Sequence, residues 1–187
     1  METKKNNFYV ITGGPGVGKT TLINKLFNGG FLTIREDARR IIKEQMENQK
    51  DGLPWKNKDL YANLMLEASI NSYNEIALKN TSNITFFDRG ILDAICYMKM
   101  ENIPISKDIL SEIENHPYNK NVFILPPWKE IYETDGERKQ DWKEAELTFC
   151  KMKNTYIEFN YKIIEIPKIS VEERVKFILK SIANNLQ

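Results

Sequence analysis

Gly13-Gly14-Pro15-Gly16-Val17-Gly18-Lys19-Thr20 matches the spacing G-x-x-x-x-G-K-S/T, and that spacing has a chemistry. Glycines let the backbone turn until successive N–H groups converge, and convergent N–H groups bind phosphate oxygens. Lys19 adds a point charge for the β- and γ-phosphates, Thr20 a hydroxyl for Mg2+, and Thr21 a further phosphate contact. The stretch from Gly13 to Thr21 is therefore expected to hold ATP or GTP with Mg2+.

Two acid-and-arginine groups stand where such a loop needs them. Asp88 follows the apolar run Ile84-Thr85-Phe86-Phe87, a position from which a carboxylate on a neighbouring strand reaches the metal or its waters. It can instead cap the helix that follows. Arg89 neutralises substrate or phosphate charge, or makes a structural ion pair. Glu36 and Asp37 are placed to orient or deprotonate a substrate hydroxyl, or to cap the next helix. Of Arg39 and Arg40, one is expected to face the site; Glu36 and Arg39 are the pair assigned to the acceptor. Asp135-Gly136-Glu137-Arg138-Lys139 lies in a charged segment read as a flap, where Arg138 can swing over the phosphates or remain a solvated charge. The expected catalytic set is Lys19, Glu36, Asp88, Arg89 and Arg138. Glu36, Arg39 and Arg89 face the acceptor, and Thr20 and Asp88 hold the metal.

Positioning these groups takes strands that alternate with helices. Phe8 to Ile11, Phe31 to Ile34, Ile84 to Phe87, Asn121 to Leu125 and Ile163 to Ile166 read as short apolar strands. Helical spacing covers Lys19 to Asn28, Ala38 to Asn48, Leu60 to Leu78, Ile91 to Met100, Lys107 to Ile113 and Trp142 to about Phe159. A last helix opens on the capping-box spacing Ser170-Val171-Glu172-Glu173. The pattern predicts an α/β fold in three layers, a five-stranded parallel sheet with helices on both faces, as one domain over residues 1–187 with a short lid about 128–141.

Composition narrows the function classes. The 27 basic and 26 acidic side chains nearly cancel, so no obligate nucleic acid or anionic membrane is expected as partner. No signal-like segment precedes the first strand and no run approaches a bilayer span, which predicts a cytoplasmic protein. Cys96 and Cys150 form no C-x-x-C pair and read as packing residues, and the one histidine, His116, reads as a loop residue. Trp55, Trp128, Tyr61 and Tyr132 can stack on a flat ring, but aromatics at helical spacing more often pack a core, so none is assigned to the site.

With these residues in place the chain resembles the NadR-like ATPase family, relatives of the ribosylnicotinamide kinase domain and, more distantly, of deoxynucleoside and nucleoside-monophosphate kinases. The ordered series carries the likeness: Ile11 to Thr21, Glu36-Asp37-Ala38-Arg39-Arg40, Phe87-Asp88-Arg89-Gly90, Val122 to Trp128, Asp135 to Arg138 and Ile164 to Pro167. The resemblance implies a P-loop NTPase fold, with Glu36 and Arg39 at a substrate pocket, Asp88 near magnesium and Arg138 in the lid. Where the ribosylnicotinamide kinase relatives have Asp-Thr-Asp, this chain has Asp88-Arg89-Gly90, and the extra positive charge points to an acceptor carrying its own phosphate. The expected activity is γ-phosphate transfer from ATP to a nucleoside- or nucleotide-like acceptor. The alternative is a nucleotide-binding switch or regulatory ATPase with slow hydrolysis.

Overall fold

A computed structural model of the chain describes residues 7–79, 83–131 and 142–184. The apolar runs form five strands: β1 (Phe8–Gly13), β2 (Leu32–Ile34), β3 (Thr85–Asp88), β4 (Asn121–Leu125) and β5 (Lys162–Glu165). They lie in one sheet in the order β2-β3-β1-β4-β5, every pairing parallel. The helices are α1 (Lys19–Asn28), α2 (Ala38–Glu47), α3 (Lys58–Leu78), α4 (Ile91–Met100), α5 (Lys107–Asn115), α6 (Trp142–Glu158) and α7 (Val171–Asn184).

β1 is buried at every position, as a strand covered on both faces must be. Its alternation sorts the core into two. Tyr9 and Ile11 pack with Leu22 and Leu26 of α1 and Ile178 and Ile182 of α7. Phe8 and Val10 point the other way, onto Tyr73 of α3 and Leu92 and Ile95 of α4. Each such side chain, fully buried, stabilises the fold by roughly 1.5–3 kcal/mol, so the apolar alternation of β1 fixes the layering.

Register then decides what meets at the carboxyl end of the sheet. Ile11 of β1 lies opposite Asp88 of β3, and Gly13 opposite Leu125 of β4. A side chain at Gly13 would place its Cβ 2.9 Å from the Leu125 carbonyl, at a backbone φ of +148°, so only glycine lets the loop leave the sheet here. The sheet ends laterally in the three-residue β2 and in β5, whose terminal Lys162 and Glu165 are exposed.

The structure moves several sequence-based boundaries. α3 starts at Lys58 rather than Leu60, because the Asn57 side chain accepts the Leu60 N–H at 3.0 Å. Phe31 stays outside β2, since its N–H is taken by the Leu26 carbonyl in the turn after α1. β5 begins one residue early, at Lys162. The cap at Ser170 forms as its spacing requires: Ser170 N–H donates to Glu173 at 3.2 Å, and Glu173 N–H to Ser170 Oγ at 3.4 Å. Cys96 is buried with Ile124 and Met152, as a packing residue should be, but Cys150 is exposed. His116 stands in the bend just after α5, as its C-cap, but it is buried there, with Nδ1 2.7 Å from the Glu112 carbonyl and its ring edge-on to Tyr73. Of the expected lid, Trp128 and a 3-10 turn at Lys129–Ile131 are described; Tyr132–Asp141, with Arg138, lies outside the described residues. Among the described residues no helix is long and apolar enough to cross a membrane.

Candidate active site

The loop between β1 and α1 has a shape suited to anions. Gly16 and Gly18 take positive φ, 76° and 83°, and Gly18 is the N-cap of α1 with no side-chain cap. α1 carries no acidic residue in its first turn, so no side-chain carboxylate there competes for the positive end of its dipole. Thr20 and Thr21 stand exposed on that turn, while Lys19 is buried.

Lys19 bridges the two acids singled out by sequence. Its Nζ lies 3.4 Å from Asp88 Oδ1 and 3.8 Å from Glu36 Oε2. Glu36 also accepts Arg89 Nε at 2.6 Å. Residues from β3, from the end of β2 and from α1 thus form one charged cluster. The electrostatics divide the acids. Burial would raise the Glu36 carboxyl, but the charges of Arg89 and Lys19 outweigh it and hold its pKa below the ordinary value. Asp88 goes the other way: burial raises its pKa, Lys19 opposes this, and the negative charge of Glu36 adds to the rise. Asp88 Oδ1 is buried and makes no hydrogen bond of good geometry; its near partner is the Lys19 ammonium at 3.4 Å, a loose ion pair on a hard oxygen. Asp88 does not cap α4, because the Gly90 N–H at that helix start donates to Asp93 at 2.8 Å.

Asp93 is the residue the sequence did not single out. It accepts hydrogen bonds from Thr12 Oγ1 on β1, Arg89 Nη1 (3.3 Å), Gly90 N–H and Tyr156 Oη of α6 (2.7 Å). Four donors on one buried carboxylate tie the end of β1, the strand-end arginine and α6 together. Burial works against the charge of Arg89, yet Glu36, Asp93 and Asp88 raise its pKa further, so it stays cationic. Its backbone sits at φ 73°, uncommon outside glycine, with its N–H on the Ile11 carbonyl at 3.0 Å.

Beside this cluster opens a cavity of about 260 Å³ between β3, α2, α3 and α4, walled by Glu36, Asp37, Tyr61, Met65, Arg89 and Tyr97 among others. Tyr61 and Tyr97 meet edge to face, centroids 5.3 Å apart, and Tyr97 Oη is buried without a hydrogen-bond partner. Tyr61, set aside as a core residue from its spacing, lines this cavity. Of the paired arginines neither does: Arg39 is exposed, its charge reaching Glu36, and Arg40 bonds Asp37 and Glu44. Arg35 is on the cavity wall instead. Asp37 occupies the N-cap position of α2 without a side-chain cap bond and accepts Ser72 Oγ of α3 at 3.0 Å. Arg89 is not the spare positive charge expected from sequence, because two carboxylates already hold it.

Parallel strands in this order, with the glycine loop closing the central one, make the chain a P-loop nucleotide-binding protein of kinase-like fold. It belongs to the AAA domain family AAA_28, whose sequence model matches residues 8–174. The nucleoside-triphosphatase THEP1 of Saccharolobus solfataricus is 35% identical over 135 residues, 62% of this chain and 75% of that protein. Among solved structures, the NadR protein in complex with NR superposes with a TM-score of 0.65 at 19% identity. That match covers 87% of this chain and 44% of NadR, so the chain spans less than half of NadR's length. Deoxyadenosine kinase from M. mycoides, with products dCMP and dCDP bound, gives 0.60 at 18% identity over 95% of this chain and 99% of that one. Likeness at such identity establishes the fold.

Proposed function

We propose that the chain is an ATP-dependent kinase that passes the γ-phosphate to a hydroxyl of a small, nucleoside-like acceptor, with Mg2+. The observation that carries this reading is the cavity of about 260 Å³ walled by Glu36, Asp88 and Arg89 beside the phosphate loop. Pockets for drug-sized ligands start near ~300 Å³, so a small acceptor suits it. The wall is rich in acid, with Glu36, Asp37, Asp88 and Asp93 facing Arg35 and the already paired Arg89. That favours an acceptor without a phosphate of its own. The Tyr61–Tyr97 pair offers aromatic surface to a ring, and Tyr97 Oη offers it a hydrogen bond.

Lys19, held between two carboxylates, is placed to exchange them for phosphate oxygens when a nucleotide enters the loop. Asp88 and Thr20 would hold Mg2+, a hard cation that suits the Asp88 carboxylate once Lys19 turns to the phosphates, with water and phosphate oxygens as further ligands. Bound there, the ion neutralises charge on the transferring group. Glu36, with its lowered pKa, is a weak base, so its part is to accept the acceptor's O–H and aim the oxygen. In a loose phosphoryl-transfer transition state, such aiming supplies most of what a protein can give. Arg89, braced by Glu36 and Asp93, fixes that carboxylate, and Arg138 is proposed as the lid cation.

The 35% identity to a nucleoside-triphosphatase favours a second reading, slow hydrolysis of ATP or GTP in a regulatory role. The test is transfer of labelled γ-phosphate from Mg·ATP and Mg·GTP to nucleosides, nucleotides and nicotinamide riboside. Labelled product from a phosphate-free nucleoside is expected, with little free phosphate when no acceptor is present. Phosphate release alone across the whole panel would establish the triphosphatase instead.

A further inference from the structure

Arg174, in the first turn of α7, lies 157 residues along the chain from the phosphate loop and touches it. It is 5% exposed. Nη1 donates to the Val17 carbonyl at 3.3 Å, and the guanidinium carbon sits 4.6 Å from the Trp128 ring centroid. A Cβ built on Gly18 would lie 3.1 Å from Nη1, so the guanidinium is against the loop at its last glycine. Nε is buried with no hydrogen-bond partner. Among the described residues no carboxylate forms an ion pair with it, and burial alone lowers its pKa. A buried cation without a counter-charge is costly unless an anion arrives, and the loop it touches is shaped for a polyanion.

Its geometry does more than add charge. In a trans peptide the C=O and the following N–H point in opposite directions. Holding the Val17 carbonyl toward α7 therefore turns the Gly18 N–H away from α7. Gly18 can follow because its φ of 83° is open to glycine. The Trp128 face covers the guanidinium and keeps water from screening it.

We infer that Arg174 is a positioning residue for the nucleotide's phosphates: it sets the Val17–Gly18 peptide with its N–H toward the phosphates and lends the loop an unscreened positive charge. The inference rests on the reading of this loop as a triphosphate site. It assigns α7 a part in ligand binding, and it makes Trp128 a cover for that charge rather than a stacking surface for a substrate ring.

Calorimetric titrations with Mg·ATP and with magnesium tripolyphosphate, on wild type, Arg174→Met and Arg174→Lys, test it. Arg174→Met should weaken both ligands by roughly 10- to 100-fold, the worth of a charged hydrogen bond, with Arg174→Lys in between. The unliganded Arg174→Met protein should melt no lower than wild type, because an unpaired buried charge has been removed; a purely structural arginine would lower it. Unchanged affinity for tripolyphosphate in a folded Arg174→Met overturns the inference, whether or not ATP binding changes, since a loss confined to ATP places Arg174 at the base. If Arg174→Met does not fold, the same criterion applies to Arg174→Lys. Wild type that binds neither ligand would bring down the loop reading itself, and this inference with it.

Discussion

At Asp88, burial and charge pull in opposite directions, and the balance yields a paired prediction. Its folded-state pKa is raised above 3.8, so the ionised carboxylate costs stability at neutral pH. The stability it contributes is present when protonated and lost as pH rises through the raised value. Asp88→Asn should therefore melt at or above wild type at pH 7, with the gap closing as pH falls below that value. Turnover should drop by roughly 10²- to 10³-fold, because the charge that organises the metal is gone. Thermal melts across pH and steady-state kinetics check the two halves. Glu36 carries the opposite sign. Its pKa is lowered from 4.5, so its contribution is present at neutral pH and lost as pH falls through the lowered value, and Glu36→Gln should flatten the acid limb of stability.

Between elements, the Asp93 carboxylate joins β1, α4 and α6. Removing one of its donors, Tyr156→Phe, keeps the ring and its packing but leaves Asp93 Oδ2 with the Gly90 N–H alone. The expected loss is about 1.5–3 kcal/mol in denaturant titrations, the range for a hydrogen bond to a charged group, with k cat reduced as Arg89 loosens. None of this was legible in the sequence. Thr12 and Asp93 are 81 positions apart, Tyr156 and Asp93 63. A lone acid in the first turn of an apolar helix reads as a terminal cap, which Asp93 also is. The phosphate loop was legible because its function depends on local spacing, and the five-stranded parallel sheet followed from short apolar runs alternating with helices, while the strand order came only with the structure. Tyr61 and Tyr97 could not be placed, since helical spacing does not separate a cavity wall from a core. Sequence weighs only Arg39 and Arg40, both on α2, for the acceptor side; the turn between β2 and α2 gives the wall to Arg35, which no spacing singles out.

Across the whole molecule, the two core clusters lie on opposite faces of a sheet whose carboxyl end carries the charged residues. A ligand that binds only the folded loop must stabilise both layers together. Mg·ATP at a hundred times its Kd should add about 2.7 kcal/mol, seen as a concentration-dependent rise in Tm. Lys19→Ala should abolish most of that rise. An equal rise in this variant would mean that the nucleotide binds elsewhere.

The short, charged borders of the sheet bear on how the chain behaves when crowded during synthesis. β2 offers only three residues to an incoming strand. On the opposite border, the exposed Glu165 is held by Lys153 of α6 at 2.6 Å. Intermolecular strand addition, the first step toward aggregates, would have to desolvate or break that pair on one side and would find almost no template on the other.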